Sequence, residues 1–265
     1  MLTPLPETPE SLSISASLTD FLISCTPEKQ IGVTTIDTDH LVNGAVSELA
    51  AACLTEQEQC QFDTYSFEKR RLQWLVGRVC AKQSVLKLYE NIAGAQQLLP
   101  SDISIGVAPS GRPFLDALSI EPTHPAPDIS ISHSGQLVIA LAAHGSCGID
   151  IQMLTDTLFK VKSRYCSEQE HTLLDAAVGD ELTQLGLLWV AKESVRKCFS
   201  NLETIGFLGM EVTAIQQSGS CSLLEMRLDQ SCGGVETVTV AASAEEHYCL
   251  GACIVPGEAE RARAA

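Results

Sequence analysis

Apolar residues recur along this chain in two rhythms, and the change from one to the other marks out its elements. From Ile31 the run Ile-Gly-Val-Thr-Thr-Ile-Asp has the β-branched character of a strand, and 40–54 reads as a short helix. Over 66–89, Leu72, Leu75, Val76, Val79 and Cys80 fall at helical spacing and predict a long amphipathic helix. Strand-like segments follow at 102–107, 112–115, 128–132, 137–142 and, after the His144-Gly145-Ser146 turn, 147–152. Helical periodicity returns over 158–178 and 182–199, and strand patterns over 210–216, 222–228, 236–242 and 247–255. The pattern predicts an α+β protein in four parts: a poorly ordered Ser/Thr/Pro/Glu-rich leader over 1–29, an N-terminal lobe over 30–148, a C-terminal lobe over 149–256 and a frayed tail over 257–265.

The two lobes share local sequence. Ala81-Lys-Gln-Ser-Val-Leu-Lys87 resembles Ala191-Lys-Glu-Ser-Val-Arg-Lys197, and Thr55-Glu-Gln-Glu58 resembles Ser167-Glu-Gln-Glu170 at nearly the same separation. The second pair carries the Ser/Thr-x-x-Glu signal of a capped helix start, so the matches predict a duplicated α+β unit. Gln83 stands where the second copy has Glu193. One copy then keeps a reactive carboxylate and the other supplies binding surface.

Composition narrows the choice of partner and compartment. With 265 residues and 45% hydrophobic side chains the chain can fill its own cores. Its net charge of −16 disfavours a nucleic acid partner, so any anion site must be a local basic patch. Eleven cysteines without a CxxC pair predict a reduced, cytoplasmic protein with no disulfides and no structural zinc. The opening residues lack a secretory signal pattern, and no apolar run approaches membrane-spanning length.

Candidate chemistry gathers in the stretch Trp189 to Lys197. Glu193 and Lys197 lie one helical turn apart, with Lys192 about 100° round from Glu193. An ordinary exposed ion pair would share that spacing and contribute only about 0.2–0.5 kcal/mol. Asp150 and Gln152 share one face of their strand, and two neighbouring oxygen donors suit Mg²⁺, although an exposed strand face would look the same. Arg71, Arg78 and Lys82 form a basic ridge beside the apolar stripe of the first long helix, either an anion site or a solvated face. His124, His144, His171 and His247 have no such setting, and Trp189 reads as core packing.

Four ordered segments, Ser110-Gly-Arg112-Pro113, Ile131-Ser132-His133-Ser134, Gly148-Ile-Asp150-Ile-Gln152 and Trp189-Val-Ala-Lys192-Glu193-Ser194 with Lys197, together resemble the Sfp-type 4′-phosphopantetheinyl transferases. The likeness extends upstream to Lys69-Arg70-Arg71 and Trp74-Leu-Val-Gly77-Arg78, and so spans about residues 31 to 255. It implies a pseudo-dimeric fold of two similar α/β lobes with the active site at their interface, Mg²⁺ as cofactor and coenzyme A as co-substrate. The resemblance makes Asp150, Gln152 and Glu193 the metal ligands, although many members carry Glu at the position of Gln152. It places Lys69, Arg78, Arg112, Ser132, His133, Lys192 and Lys197 against coenzyme A, and Glu170 near the metal and acceptor.

The implied reaction is attack by a serine hydroxyl of an apo acyl or peptidyl carrier protein on coenzyme A, releasing adenosine 3′,5′-bisphosphate. Glu193 ranks first as the base and Glu170 second, while Lys197 and His133 share the leaving charge. Two other classes stay open: a binding module that holds carrier protein or coenzyme A without transfer, and a metal-dependent phosphohydrolase. The duplication favours a monomer.

Overall fold

The computed structural model describes residues 14–26, 30–41, 43–90, 98–118, 126–175, 179–200, 205–232 and 234–256. They divide into two compact units, one built from Ile31–Ala143 and the other from Ile14–Gln30 together with the chain from His144 onward.

In the first unit, strands β1 (Gly32–Asp37), β4 (Asp128–Ser134) and β5 (Leu137–Ala143) form an antiparallel sheet in the order β1-β5-β4, and β2 (Ile103–Val107) pairs with β3 (Pro113–Leu118). Helices α2 (Asn43–Cys53) and α3 (Glu56–Asp63) precede the long α4 (Glu68–Tyr89), which crosses β5, β1 and β4. Leu75, Val76, Val79 and Cys80 of α4 bury against Ile36, Ile129 and Ala140, as their helical spacing requires. All seven residues of β5 are buried, so the central strand reads as a continuous apolar run rather than an alternating one.

The second unit repeats this plan with an unbroken sheet. Strands β6 (Ser146–Met153), β7 (Met210–Ser218), β8 (Cys221–Cys232), β9 (Val235–Glu245) and β10 (Tyr248–Val255) run antiparallel in the order β6-β10-β9-β8-β7. Helix α7 (Glu181–Cys198) crosses β6, β10 and β9, as α4 crosses β1, β5 and β4. Both units are thus mixed α+β lobes with the long helix laid over the equivalent strands.

The structure departs from the periodicity in two places. The helix expected over 158–178 is broken into α5 (Thr157–Val161), a 3₁₀ turn and α6 (Glu168–Leu174), because Ser167 and Glu170 form a capping box that restarts the helix at 168. The positions 176–178 lie outside the described residues. Within the segment expected to be a disordered leader, α1 (Ala16–Ser24) is helical, capped by Ser15 and packed on β9 and β10 with Leu18 and Leu22 buried one turn apart.

The described cysteines are free thiols, most of them buried, and burial pushes Cys53 up to about 11 and Cys249 up to about 12. The buried ones serve as small core hydrophobes, whereas Cys60 is exposed. No helix among the described residues is long and apolar enough to cross a membrane.

Candidate functional site

The site is easiest to see against its duplicate. In the first unit Ser84 on α4 donates to the carbonyls of Cys80 and Ala140, and the Ser84 carbonyl oxygen covers Gly32 so closely that a Cβ there would overlap it. Lys87, three residues on, donates to the Val33 carbonyl at 3.0 Å. The second unit repeats each contact. Ser194 on α7 donates to the carbonyls of Val190 and Gly251, both at 2.7 Å, its own carbonyl covers Gly148, and Lys197 donates to the Ile149 carbonyl at 3.0 Å. Only a glycine lets the helix backbone come this near a strand.

The same correspondence identifies what differs. Two residues beyond the covered glycine, the first unit has Thr34 and the second has Asp150; one residue before the anchoring serine stand Gln83 and Glu193. The second unit therefore adds two carboxylates where the first has neutral side chains. Lys197 Nζ lies 2.7 Å from Asp150 Oδ1, and Arg196 Nη1 lies 3.3 Å from Glu193 Oε1. Burial pushes the Glu193 carboxyl above the ordinary range; Arg196 and Lys197 oppose the shift and the charge of Asp150 adds to it. The two carboxylates are thus near enough to repel.

That repulsion is the feature of this structure that suits a divalent cation, which replaces it with shared attraction. Asp150 and Glu193 are hard oxygen donors of the right charge. Gln152 donates its amide nitrogen to the Met153 carbonyl at 2.9 Å, which leaves its amide oxygen, the atom a cation would take. No cluster of three or more His, Cys, Asp or Glu side chains able to hold a metal occurs among the described residues, so a cation here would rest on the carboxylate pair and on water.

Several residues expected at the site lie elsewhere. Lys192, expected to face phosphates, is fully buried; its ammonium meets Glu170 at 2.6 Å and the carbonyls of Tyr165 and Phe207 at 2.7 and 3.0 Å. Glu170, expected near the metal, is equally buried and also accepts from the backbone N–H groups of Ser167 and Val212. Burial lowers the Lys192 pKa, and Glu170 offsets part of that. A side chain enclosed in this way joins helix to strand and loop and cannot reach a ligand in solvent.

The duplicate explains why the pair exists. Glu58 caps α3 from the same capping box, accepts from the Ile105 N–H at 3.2 Å and holds the buried ammonium of Lys82, which also donates to the Cys53 carbonyl at 2.7 Å. Of the basic ridge expected on α4, Lys82 and Arg78 are internal, while the Arg71 side chain is 42% exposed. Arg78, expected against coenzyme A, is buried 3.9 Å from Glu58 with its guanidinium 4.8 Å from the Trp74 ring centre, and Arg71 lies over the Phe62 ring at 4.1 Å.

The other first-unit candidates divide by exposure. Arg112 is buried and paired with Asp128, Ser132 is buried on β4, and His133 and Lys69 are exposed. Trp189 packs edge-on against Tyr165 with ring centres 5.0 Å apart, a core role as its spacing suggested. Gly148, Ile149, Ser194 and Arg196 stand in the quoted segments without a role assigned from sequence; the match of Ser84 to Ser194 in the repeat was the available signal for the anchor.

This geometry coincides with a family match. Residues 146–253, from the first residue of β6 into β10, match the 4′-phosphopantetheinyl transferase superfamily. The match falls within the second unit, and both carboxylates and Lys197 lie inside it. The chain is also 28% identical over 150 residues to a 4′-phosphopantetheinyl transferase of Bacillus subtilis, an overlap that takes in 56% of this chain and 60% of that enzyme. Among solved structures, holo-[acyl-carrier-protein] synthase of Thermotoga maritima overlaps 45% of this chain and 67% of its own at 18% identity and a TM-score of 0.33. A coenzyme A complex of ACPS from Chronobacterium ammoniagenes overlaps 43% and 93% at 21% identity and the same TM-score of 0.33.

Proposed function

We propose that this protein transfers the 4′-phosphopantetheine arm of coenzyme A to a serine of an apo carrier protein, with Mg²⁺ held by Asp150 and Glu193. The observation that carries this reading is the carboxylate pair, present in the second unit and replaced by Thr34 and Gln83 in its duplicate. It lies within the segment that matches the transferase superfamily. The cation would supply charge neutralisation at the pyrophosphate oxygens.

Around it, this chain's own residues have separate tasks. Glu193, directly or through a water, takes the proton of the serine hydroxyl as the new oxygen–phosphorus bond forms. The bond from that phosphorus to the bridging oxygen breaks, and its electron pair leaves with adenosine 3′,5′-bisphosphate. Lys197, tethered to the Ile149 carbonyl, meets the developing negative charge. His133 and Lys69, both exposed, keep the coenzyme A contacts that the sequence resemblance implies, whereas Ser132 and Arg112, the latter paired with Asp128, are as buried as Arg78. Lys192, Glu170 and Arg78 are assigned to the cores.

Incubation with coenzyme A, Mg²⁺ and a panel of apo carrier proteins tests the reading by mass spectrometry. A gain of one phosphopantetheine on a carrier, lost in Asp150→Asn and Glu193→Gln, supports it. Cleavage of coenzyme A without that gain identifies a phosphohydrolase, and neither outcome leaves a binding module.

A further inference from the structure

The two halves of the chain hold the same lysine in the same way, and only one of those lysines also meets a carboxylate. Lys87 and Lys197 each donate to the carbonyl of the residue after the covered glycine, Val33 and Ile149, at 3.0 Å in both cases. The tether is therefore part of the duplicated framework and does not depend on an acid. In the second unit the same ammonium also bonds Asp150 Oδ1 at 2.7 Å, with Asp150 only 8% and Lys197 28% exposed at the side chain. A charge-assisted contact of that length, largely screened from water, is a strong competitor for the oxygen it occupies. The second carboxylate is held in the same manner by Arg196, from one helical turn along α7.

Resting on the metal site proposed above, we propose that Lys197 is a built-in competitor of the divalent cation for Asp150. The cation displaces the ammonium from the carboxylate, while the Ile149 carbonyl keeps Lys197 beside the site, available to an incoming anion. One residue thereby lowers metal affinity in the resting protein and presents its charge once the metal is in place. Arg196 plays the lesser part at Glu193, because it is more exposed, at 39%, and its contact is longer, at 3.3 Å.

A lysine that merely supported the site would, on removal, loosen it and weaken metal binding. Competition predicts the opposite sign. Mn²⁺ binding is measured by the loss of the free-ion electron paramagnetic resonance signal, and Mg²⁺ binding by calorimetry, on the full chain without coenzyme A. The variants are Lys197→Met, Lys197→Arg, Lys87→Met and Asp150→Asn, each checked for its thermal midpoint. Lys197→Met is expected to bind Mn²⁺ roughly tenfold tighter than the parent, the gain from removing a partly screened unit charge. Lys197→Arg, which keeps a competing cation, stays within about threefold of the parent, and Lys87→Met leaves Mn²⁺ binding unchanged.

Equal or weaker Mn²⁺ binding by a folded Lys197→Met overturns the proposal, as does an equal gain in Lys87→Met. Should Lys197→Met fail to fold, Arg196→Met carries the same sign test at Glu193, with a smaller gain expected and no gain overturning it. Asp150→Asn separates this inference from the reading beneath it. Loss of Mn²⁺ binding there with no gain in Lys197→Met sinks the competition alone, whereas parent-like binding in Asp150→Asn sinks the metal site as well.

Discussion

Gly148 of β6 lies directly beneath the carbonyl oxygen of Ser194 on α7, so close that any side chain at 148 would overlap it. That contact sets how near the helix carrying Glu193 and Lys197 comes to the strand carrying Asp150. Gly148→Ala should therefore force α7 away from β6. The obstacle is backbone oxygen, which cannot swing aside as a flexible side-chain end would, so the cost falls at or above the upper end of about 1–3 kcal/mol for an overpacked site. The expected results are a lowered urea midpoint and weaker Mn²⁺ binding, both read on the same sample. Ser194→Ala should act in the same direction, because it removes the donor that bridges Val190 and Gly251.

The buried pair Lys192 and Glu170 yields a prediction of a different kind. Lys192→Met leaves Glu170 enclosed without its ammonium, and removing one partner of such a pair costs about 3–5 kcal/mol. Lys192→Met combined with Glu170→Gln should recover part of that loss, since Gln can still accept from the Val212 N–H. A double-mutant cycle by urea denaturation checks it. Full additivity of the two losses would remove the structural role given to the pair.

These residues also show what the sequence could and could not convey. The long helices, most strands and the duplication were legible, because period and capping signals are local; Thr55 and Ser167 do cap α3 and α6 from the expected boxes. Glu193 stood out through the asymmetry of the repeat, where its counterpart is Gln83, and Asp150 through the strand face it shares with Gln152. Lys192, Arg78 and Glu170 were read as facing ligand from the family resemblance, and nothing in the spacing shows that Glu58 and Glu170 lie in the cores to receive the cations. Helix α1 was hidden by its Ser- and Thr-rich surroundings, and its stability depends on burying Leu18 and Leu22 against strands far away in the chain.

The last point can be measured. Leu18 and Leu22 are fully buried, so Leu22→Ala should destabilise the second unit by about 2–5 kcal/mol. The chain has two tryptophans, Trp74 in the first unit and Trp189 in the second. In a Trp74→Phe background the emission of Trp189 reports the second unit, and its urea midpoint should fall in Leu22→Ala. An unchanged midpoint would mean that α1 adds nothing to that unit's stability.

Glu193 ties stability to pH in a direction that can be worked out. Burial, with the charge of Asp150 added, holds its carboxyl above the ordinary value, so over that interval the folded protein keeps a proton that the unfolded chain has released. The contribution of Glu193 to stability therefore falls as pH rises from about 4, the ordinary glutamate range, through the raised value. Gln in its place does not titrate. Without metal, Glu193→Gln should match the parent in thermal midpoint near pH 4 and exceed it at neutral pH, where the parent holds a half-buried charge that the charge of Asp150 opposes. Added Mg²⁺ should then raise the parent's midpoint and leave that of Glu193→Gln nearly unchanged, because only the parent keeps both ligands. Melts at both pH values, with and without Mg²⁺, decide it: a variant less stable than the parent at neutral pH would mean that Arg196 and Lys197 fully offset the repulsion.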